Sequence, residues 1–207
     1  MSVDSLFQII ILIFSVVVHE VAHGYAAYML GDNTAKYQGR LTLNPIKHID
    51  MFGSIILPLI LFISGSGFMI GWAKPVPFNP FNLRNQRWGE AIVAFAGPLS
   101  NIVIALVFGL LVRAGFAFGV VPSIEILHIS SYIIFINLLL AVFNLVPIPP
   151  LDGSKILFSV FRIGYGPARE FLERSGMILV LIFVFFFWGL ISPVISWLFT
   201  LITGIGL

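Results

Sequence analysis

The chain has 207 residues, of which 59% are hydrophobic and 10% are charged. Soluble domains carry about 25% charged residues, so this composition excludes an ordinary soluble domain and indicates apolar surface that faces lipid. The sequence contains no cysteine, which excludes disulfides, cysteine-ligated zinc and thiol nucleophiles. The formal net charge of +2 is small and dispersed and gives no indication of a nucleic-acid partner. We expect one membrane-embedded domain over residues 1–207.

The first apolar segment covers about residues 6–30 and contains His19, Glu20 and His23. A secretory signal peptide begins with basic residues and ends at a small-residue cleavage site, whereas the first basic residue here is Lys36. We therefore interpret this segment as a retained membrane helix that ends near Gly31.

Four further apolar segments follow at about 52–70, 91–112, 124–147 and 177–201. A helix needs about 20 apolar residues to span the hydrocarbon core, and the last three segments provide them. The 52–70 segment contains Pro58 and ends in a Gly-Ser-Gly run, which argues against a full span. The sequence leaves open whether the last segment, which contains Pro193, spans once or turns back. We expect an all-α polytopic membrane protein with about four spanning helices.

The positions of the basic residues indicate how segment 52–70 runs. If this segment re-enters the membrane and leaves on the side where it entered, ten of the eleven Lys and Arg residues share one face, with Arg113 on the other. A full span would divide them four against seven. The positive-inside rule favours the first arrangement and makes the shared face cytoplasmic. We therefore predict a re-entrant segment, with the N-terminus outside.

Two stretches on this cytoplasmic side have the pattern of extended chain. Residues 36–43 alternate polar and apolar side chains with a period of two, which is typical of a strand. Residues 72–80 contain Pro75, Pro77 and Pro80, which excludes a regular helix. Non-helical backbone near a membrane needs protein or water around it. We predict a small β element here, a sheet or hairpin that dips toward a cavity.

The His19-Glu20-Val21-Ala22-His23 run carries the clearest chemistry. On a helix, residues four apart lie about 40° apart around the axis and about 6 Å apart along it, so both imidazoles can reach one metal ion. Glu20 can then lie beside the water that this metal activates. Each ionisable group costs about 2.5 kcal/mol or more at the centre of a bilayer, which favours a functional site. A polar network between helices without metal is the alternative.

A catalytic zinc ion takes three protein ligands, and Asp152 is a candidate for the third. It follows the proline-rich run 147–150, which ends the preceding helix, and Gly153 permits a sharp turn and a close approach. Asp152 could also cap a short helix that begins at Ser154. The residues alone leave both interpretations open.

The two motifs together resemble the site-2 protease family of intramembrane zinc metalloproteases, peptidase family M50. The resemblance rests on residues 19–23 and 144–153, each in its own apolar segment. Residues 95–101 are similar to the Gly-Pro-containing helix of that family, and residues 44–50 and 71–76 resemble its short branch without PDZ-like or nucleotide-sensing domains. The similarity covers almost the whole chain.

This resemblance implies one Zn²⁺ per chain, with His19, His23 and Asp152 as ligands and Glu20 as the general base. It also implies that Asn144 steadies the oxyanion or orients the substrate, a sound role for an amide donor aimed at developing charge. An Asn that hydrogen-bonds between helices is the alternative for this residue.

Four other polar residues have structural interpretations. His48 could approach the metal, although a loop histidine more often hydrogen-bonds nearby backbone. We expect Asp50 to cap the segment 52–70. Asn101 and Asn137 are interpreted as helix-packing groups.

The resemblance further implies cleavage of peptide bonds in or near transmembrane segments of membrane-protein substrates. We expect the chain to lie in the lipid bilayer of a prokaryotic plasma membrane. The charge distribution places both motifs toward the cytoplasmic ends of their helices, so we expect the active site toward the cytoplasmic side. A helical substrate hides its peptide carbonyls and must partly unwind, and a strand edge at residues 36–43 could hold it by β-augmentation. The sequence does not indicate the substrate or the oligomeric state.

Two other functions are alternatives: a non-proteolytic metal-binding membrane scaffold and a divalent-cation transporter. The intact Glu20 argues against a scaffold without activity. Transport would need further polar residues on several helices, whereas residues 91–111 offer mainly Asn101.

Overall fold

The computed structural model describes residues 3–64, 71–120 and 123–206. All regular elements in these residues are helical, and none of them is a strand. The α-helices are α1 Val3–Met29, α2 Thr34–Tyr37, α3 Leu57–Ile63, α4 Gly89–Ala117, α5 Ile124–Asn144, α6 Asp152–Val160 and α7 Pro167–Thr203. Shorter 3-10 or π-helical turns occur at Pro45–His48, Met51–Ile56 and Pro80–Asn82.

Four of these helices are long and apolar enough to cross a membrane, as predicted. They are α1, from Leu6 onward, and the whole of α4, α5 and α7. Pro193 lies inside α7, which continues for 37 residues, so the chain does not turn back at this proline. Many large apolar side chains on these helices are exposed, as expected for surfaces that contact lipid.

Helices α1 and α4 pack antiparallel through one stripe of residues each, spaced four apart. At one end Ala27 packs with Val93, and at the other the Asn101 amide lies 3.3 Å from the Ser15 carbonyl oxygen. The stripe on α1 is Ser15, His19, His23 and Ala27, and that on α4 is Val93, Gly97 and Asn101, all of them buried. Residues four apart lie on one face of a helix, so each helix devotes a single face to this contact.

Helix α4 is central, since it contacts α1, α5, α6 and α7. A second core joins it to α5 and α7 through Ala105, Ile134, Leu138, Ile191, Ile195, Phe199 and Ile202. At Gly109, a Cβ atom would lie only 2.3 Å from a methyl group of Ile202. A small residue is therefore required where α4 and α7 approach closely, as is common between membrane helices.

Segment 52–70 forms the π-helical turn Met51–Ile56 followed by α3, and residues 65–70 lie outside the described chain. As predicted, Asp50 caps this segment, and its carboxylate accepts a 2.7 Å hydrogen bond from the Gly53 N–H. The chain returns to its starting point, because the Trp72 N–H donates to the Gly53 carbonyl at 3.2 Å. Whether the segment enters a membrane stays a prediction.

The predicted β element is wrong in the described residues, because residues 34–37 form α2. The N–H groups of Gln38 and Arg40 bond to the carbonyls of Thr34 and Ala35, which uses the groups a strand would need for pairing. Gly39 then turns the chain at a φ of +61°, a conformation that glycine adopts readily. Alternation over a few residues did not distinguish this compact turn from a strand. The suggested β-augmentation at residues 36–43 loses its basis.

A buried ion pair joins the start of α4 to the start of α7. The Arg169 guanidinium bonds both carboxylate oxygens of Glu90 and also donates to Glu173 at 2.8 Å. It stacks over the rings of Phe158 and Tyr165 and is 4% exposed. Burial, and then the Glu90 charge, raise the pKa of Tyr165 to about 12. The cluster therefore fixes α6 and the following loop against two long helices.

We expect Arg169→Met to lower the free energy of unfolding by about 3–5 kcal/mol, because it leaves the Glu90 carboxylate without its buried partner. Arg174→Met is the matched control, since the Arg174–Glu170 pair on the same helix is exposed and is worth about 0–1 kcal/mol. Thermal unfolding in detergent micelles measures both. Equal shifts in the two variants would contradict a structural role for the buried pair.

Candidate metal centre

Three predicted ligands from α1 and α6 meet in the interior of the bundle. The Nε2 atoms of His19 and His23 each lie 3.1 Å from Oδ2 of Asp152. All three ligand atoms lie within 4.8 Å of one another, and the residues are 5%, 8% and 6% exposed, respectively. The helical i, i+4 spacing places both imidazoles on one face, as the sequence predicted.

Asp152 reaches this point because the chain between α5 and α6 folds tightly beneath it. At Gly153, a Cβ would lie 2.2 Å from the Leu145 carbonyl oxygen, and at Gly176 of α7 it would lie 2.5 Å from that of Pro149. The close approach predicted at Gly153 is therefore present. Asp152 is the first residue of α6, and the cap residue is Leu151, so the structure does not support Asp152 as a cap for a helix beginning at Ser154.

Hydrogen bonds to α4 fix which imidazole nitrogens face the centre. His23 Nδ1 lies 2.7 Å from the Val93 carbonyl oxygen, and His19 Nδ1 lies 2.6 Å from Oδ1 of Asn101. Because carbonyl oxygens only accept, each Nδ1 carries a hydrogen, and in the neutral imidazole each Nε2 presents a lone pair. Two imidazole lone pairs and a carboxylate oxygen thus converge.

This donor set fits a zinc ion. Two imidazole nitrogens that each lie 3.1 Å from one buried carboxylate oxygen favour a positive charge between them, which a metal ion would supply. Ligands of a tetrahedral zinc at about 2.0–2.1 Å would be separated by about 3.3 Å, close to the observed spacing. The Lys155 Nζ lies 3.9 Å from Oδ1 of Asp152, whereas the two histidines contact Oδ2.

Gly97 allows α4 to pack directly against the two histidines. A Cβ at this position would lie 2.5 Å from Cε1 and Nε2 of His23 and 2.6 Å from Nε2 of His19. These distances are far below van der Waals contact, and both imidazoles are already held by hydrogen bonds. Gly97 thus leaves the space that the ligand nitrogens and a metal ion need.

Glu20 lies beside this centre and is held by main chain. Its Oε2 accepts a 2.7 Å hydrogen bond from the N–H of Val76. Pro75 and Pro77 have no N–H group, so Val76 supplies the single donor in this tripeptide. At Gly24, one turn after Glu20, a Cβ would lie 2.9 Å from the Val76 side chain, so the segment packs closely on α1.

We call residues 71–82 the strap, and two buried charges hold it in place. The Arg40 guanidinium donates to the carbonyls of Lys74 and Pro75 at 2.8 and 3.3 Å. The Asp32 carboxylate accepts from the Asn79 N–H at 2.7 Å and the Asn82 amide at 2.9 Å. Val76 lies between these two attachments, so they set the position of the donor that holds Glu20.

The other sequence candidates have local partners. The Asn144 amide donates to the Leu140 carbonyl at 2.9 Å, within its own helix, and its catalytic role stays a prediction. His48 is buried, and its Nε2 lies 2.9 Å from the Thr42 carbonyl oxygen, which matches the backbone interpretation. The sequence interpretation missed the contact between Asn101 and His19.

Asp32 and Arg40 were also missed, and only Asp32 had a sequence signal. An Asp directly after an apolar helix, with Thr34 two residues on, is typical of an Asx turn. The Thr34 hydroxyl does donate to Asp32 at 2.6 Å. The distant partners in the strap follow no local rule.

We expect Gly97→Ala to abolish stoichiometric metal binding, because its Cβ would occupy the space beside both ligand nitrogens. Gly189→Ala is the matched control, since a Cβ at this position in α7 meets nothing within 4 Å. Equilibrium dialysis of the detergent-solubilised variants against Zn²⁺, with metal analysis, gives the stoichiometry. Normal binding by Gly97→Ala would show that the site tolerates a displaced α4.

Asp32 gives the strap a predictable acid sensitivity. Burial alone would raise the pKa of Asp32, but hydrogen bonds from Thr34, Asn82 and Asn79 hold it below its usual value of 3.8. A lowered folded-state pKa means that the stabilisation is complete above the unfolded-state pKa and is lost as the pH falls toward the folded-state pKa.

We therefore expect the melting temperature of the unmodified chain to fall as the pH drops below about 4, and Asp32→Asn to lack this component. The variant should also be less stable at neutral pH, because the amide nitrogen cannot accept the hydrogen bonds. The control is Glu170→Gln, at an exposed carboxylate, which should leave the acid response intact. An unchanged acid response in Asp32→Asn would contradict the assignment.

Comparison with known proteins agrees with this geometry. The family model of peptidase family M50 matches residues 7–120 and 114–187, which include both ligand-bearing regions. "Putative zinc metalloprotease YwhC" of Bacillus subtilis is 39% identical over 180 residues, which cover 85% of this chain and 78% of the relative. "Putative zinc metalloprotease Rip2" of Mycolicibacterium smegmatis is 30% identical over 193 residues, with 92% and 69% covered. No solved structure matches the chain. The chain belongs to peptidase family M50.

Proposed function

We propose that this chain is a zinc metalloprotease that hydrolyses peptide bonds in or near the membrane-spanning segments of other membrane proteins. One Zn²⁺ would be held by His19, His23 and Asp152. The observation that carries the proposal is the convergence of these three buried ligand atoms beside Glu20 on a helix long enough to span a membrane. Zinc at such a site acts as a Lewis acid that lowers the pKa of water.

Glu20 would be the general base. The Val76 N–H holds Oε2, which leaves Oε1 to accept the proton of the attacking water. The same carboxyl group can then deliver that proton to the amine that leaves when the peptide C–N bond breaks. A base must be oriented toward the proton it removes, and the strap supplies that orientation from outside α1.

Asn144 would assist as a donor to the developing oxyanion or to the substrate backbone. Its amide carries two N–H groups, and the bond to Leu140 uses one of them. The residue ends α5, eight residues before Asp152, where α6 begins. A small rotation of the side chain would change its hydrogen-bond partner without moving the helix.

The proposal includes a topology for the single domain over residues 1–207. Antiparallel packing of α1 and α4, and the 2.8 Å bond from the Arg84 N–H to the Leu30 carbonyl, bring the chain back to the end of the bundle that it left. This favours a re-entrant course for residues 52–70. The basic residues then lie mainly at this end, which supports a cytoplasmic active site, an external N-terminus and a prokaryotic plasma membrane.

We expect Glu20→Gln to retain one zinc per chain and to cleave a model transmembrane peptide about 10²–10⁴-fold more slowly, because a general base contributes about this factor. Asp152→Ala should lose both zinc and cleavage. Glu170→Gln, far along the chain at an exposed position, is the control for the loss of a carboxylate. Assays use purified protein in lipid vesicles with the peptide co-inserted.

Three results would overturn parts of this proposal. Full cleavage by Glu20→Gln would exclude Glu20 as the base. Zinc binding without any cleavage by the unmodified chain would favour a metal-binding scaffold. Passage of Zn²⁺ into sealed vesicles, blocked by Asp152→Ala, would favour a transporter.

A further inference from the structure

A chain of buried side-chain hydrogen bonds leads away from the metal centre through three helices. Oδ1 of Asn101 on α4 contacts His19 Nδ1 at 2.6 Å. The Asn101 amide nitrogen contacts Oδ1 of Asn137 on α5 at 2.8 Å, and the Asn137 amide nitrogen donates to the Ser15 hydroxyl at 2.9 Å. Ser15 precedes His19 by one turn of α1, so the path closes on the helix where it began.

Two backbone carbonyls fix the direction of every bond in this chain. The Asn137 amide nitrogen donates to the Ile133 carbonyl at 2.8 Å, and the Asn101 amide nitrogen lies 3.3 Å from the Ser15 carbonyl oxygen. Because carbonyls only accept, both amides must present their nitrogens there. Oδ1 of Asn101 is therefore the atom that faces His19, whose Nδ1 must donate.

The burial of this chain argues against a role in packing alone. Asn101 and Asn137 are both 0% exposed, and a buried amide stabilises a structure only when its groups are bonded. Asn137 and Ser15 accept hydrogen bonds from the amide nitrogen of Asn101. The amide oxygen of Asn101 instead accepts from His19, a candidate metal ligand. The other histidine is held differently, since His23 Nδ1 bonds the Val93 backbone. Only the His19 orientation depends on a side chain.

We propose that Asn101 is a positioning residue for the metal. It holds the His19 ring with its Nε2 lone pair toward Asp152, and Asn137 and Ser15 hold Asn101 in turn. The inference rests on the proposed function only in requiring that the centre bind zinc. Loss of such an outer partner typically weakens metal affinity 10–100-fold. The acceptor oxygen is the essential group, and the amide nitrogen serves to orient it.

The experiment compares two nearly isosteric replacements in the full-length, detergent-solubilised protein. Asn101→Leu removes the acceptor, and we expect zinc to bind 10–100-fold more weakly. Asn101→Asp keeps an acceptor oxygen but loses the amide nitrogen that orients it, and we expect this variant to bind zinc more tightly than Asn101→Leu and more weakly than the unmodified chain. Ser100→Ala, next to it on α4, is the control. Zinc affinity is measured by chelator competition, and Co²⁺ absorption spectra report the ligand geometry.

The relative zinc affinities of the two variants distinguish a positioning role of Asn101 from a packing role. A packing role predicts that Asn101→Asp is the less stable variant, because it places a carboxyl group in the core, and that zinc affinity is the same for the folded fractions of both. Melting curves give the folded fraction. Equal affinities for Asn101→Leu and the unmodified chain would overturn the inference. If the unmodified chain binds no zinc, that result contradicts the proposed function itself, whereas the result above contradicts only the role of Asn101.

Discussion

The structure depends on bringing three acceptor atoms together inside an apolar bundle. Each imidazole Nε2 lies 3.1 Å from the Asp152 carboxylate oxygen, and neutral imidazole lone pairs at that distance repel the oxygen unless a positive charge, such as a metal ion or a bound proton, lies between them. The backbone must also come unusually close, because a Cβ at Gly97, Gly153 or Gly176 would collide with a ligand or with the turn that holds Asp152. Some glycines in this chain are thus required by the geometry of the metal centre, and others, such as Gly109, by close helix packing.

The strap connects this interior to the surface. Its prolines prevent a helix, and its backbone bonds instead to buried Asp32, buried Arg40 and Glu20. A charged group buried without partners would be costly. Here Arg40 bonds two carbonyls of the strap, and Asp32 bonds two donors of the strap in addition to Thr34. The position of Glu20 is therefore coupled to residues far from the reacting atoms.

Sequence patterns within a single segment predicted the long helices and the pair of histidines on α1. The four long helices follow from apolar length, and the His19–His23 pair follows from helical spacing. The 36–43 prediction failed because alternation is equally compatible with a turn closed by Gly39 and anchored through Asp32 and Thr34. Asp152 lies 133 residues from His19, and only tertiary packing decides that they meet. Asn101 was assigned to packing because no local signal shows which neighbour an amide faces.

Helix α4 explains how such distant residues are placed accurately. Val93, Gly97 and Asn101 are spaced four apart, and each contributes to the centre differently. The backbone carbonyl of Val93 accepts from His23, and the side-chain amide oxygen of Asn101 accepts from His19. Gly97 has no side chain and so leaves space beside both imidazoles. Because one helical face carries all three, a rotation of α4 would break every contact together. The face of α4 that packs against α1 is thus also the face that positions the metal ligands. The same residues therefore affect both the stability of the bundle and the geometry of the metal centre.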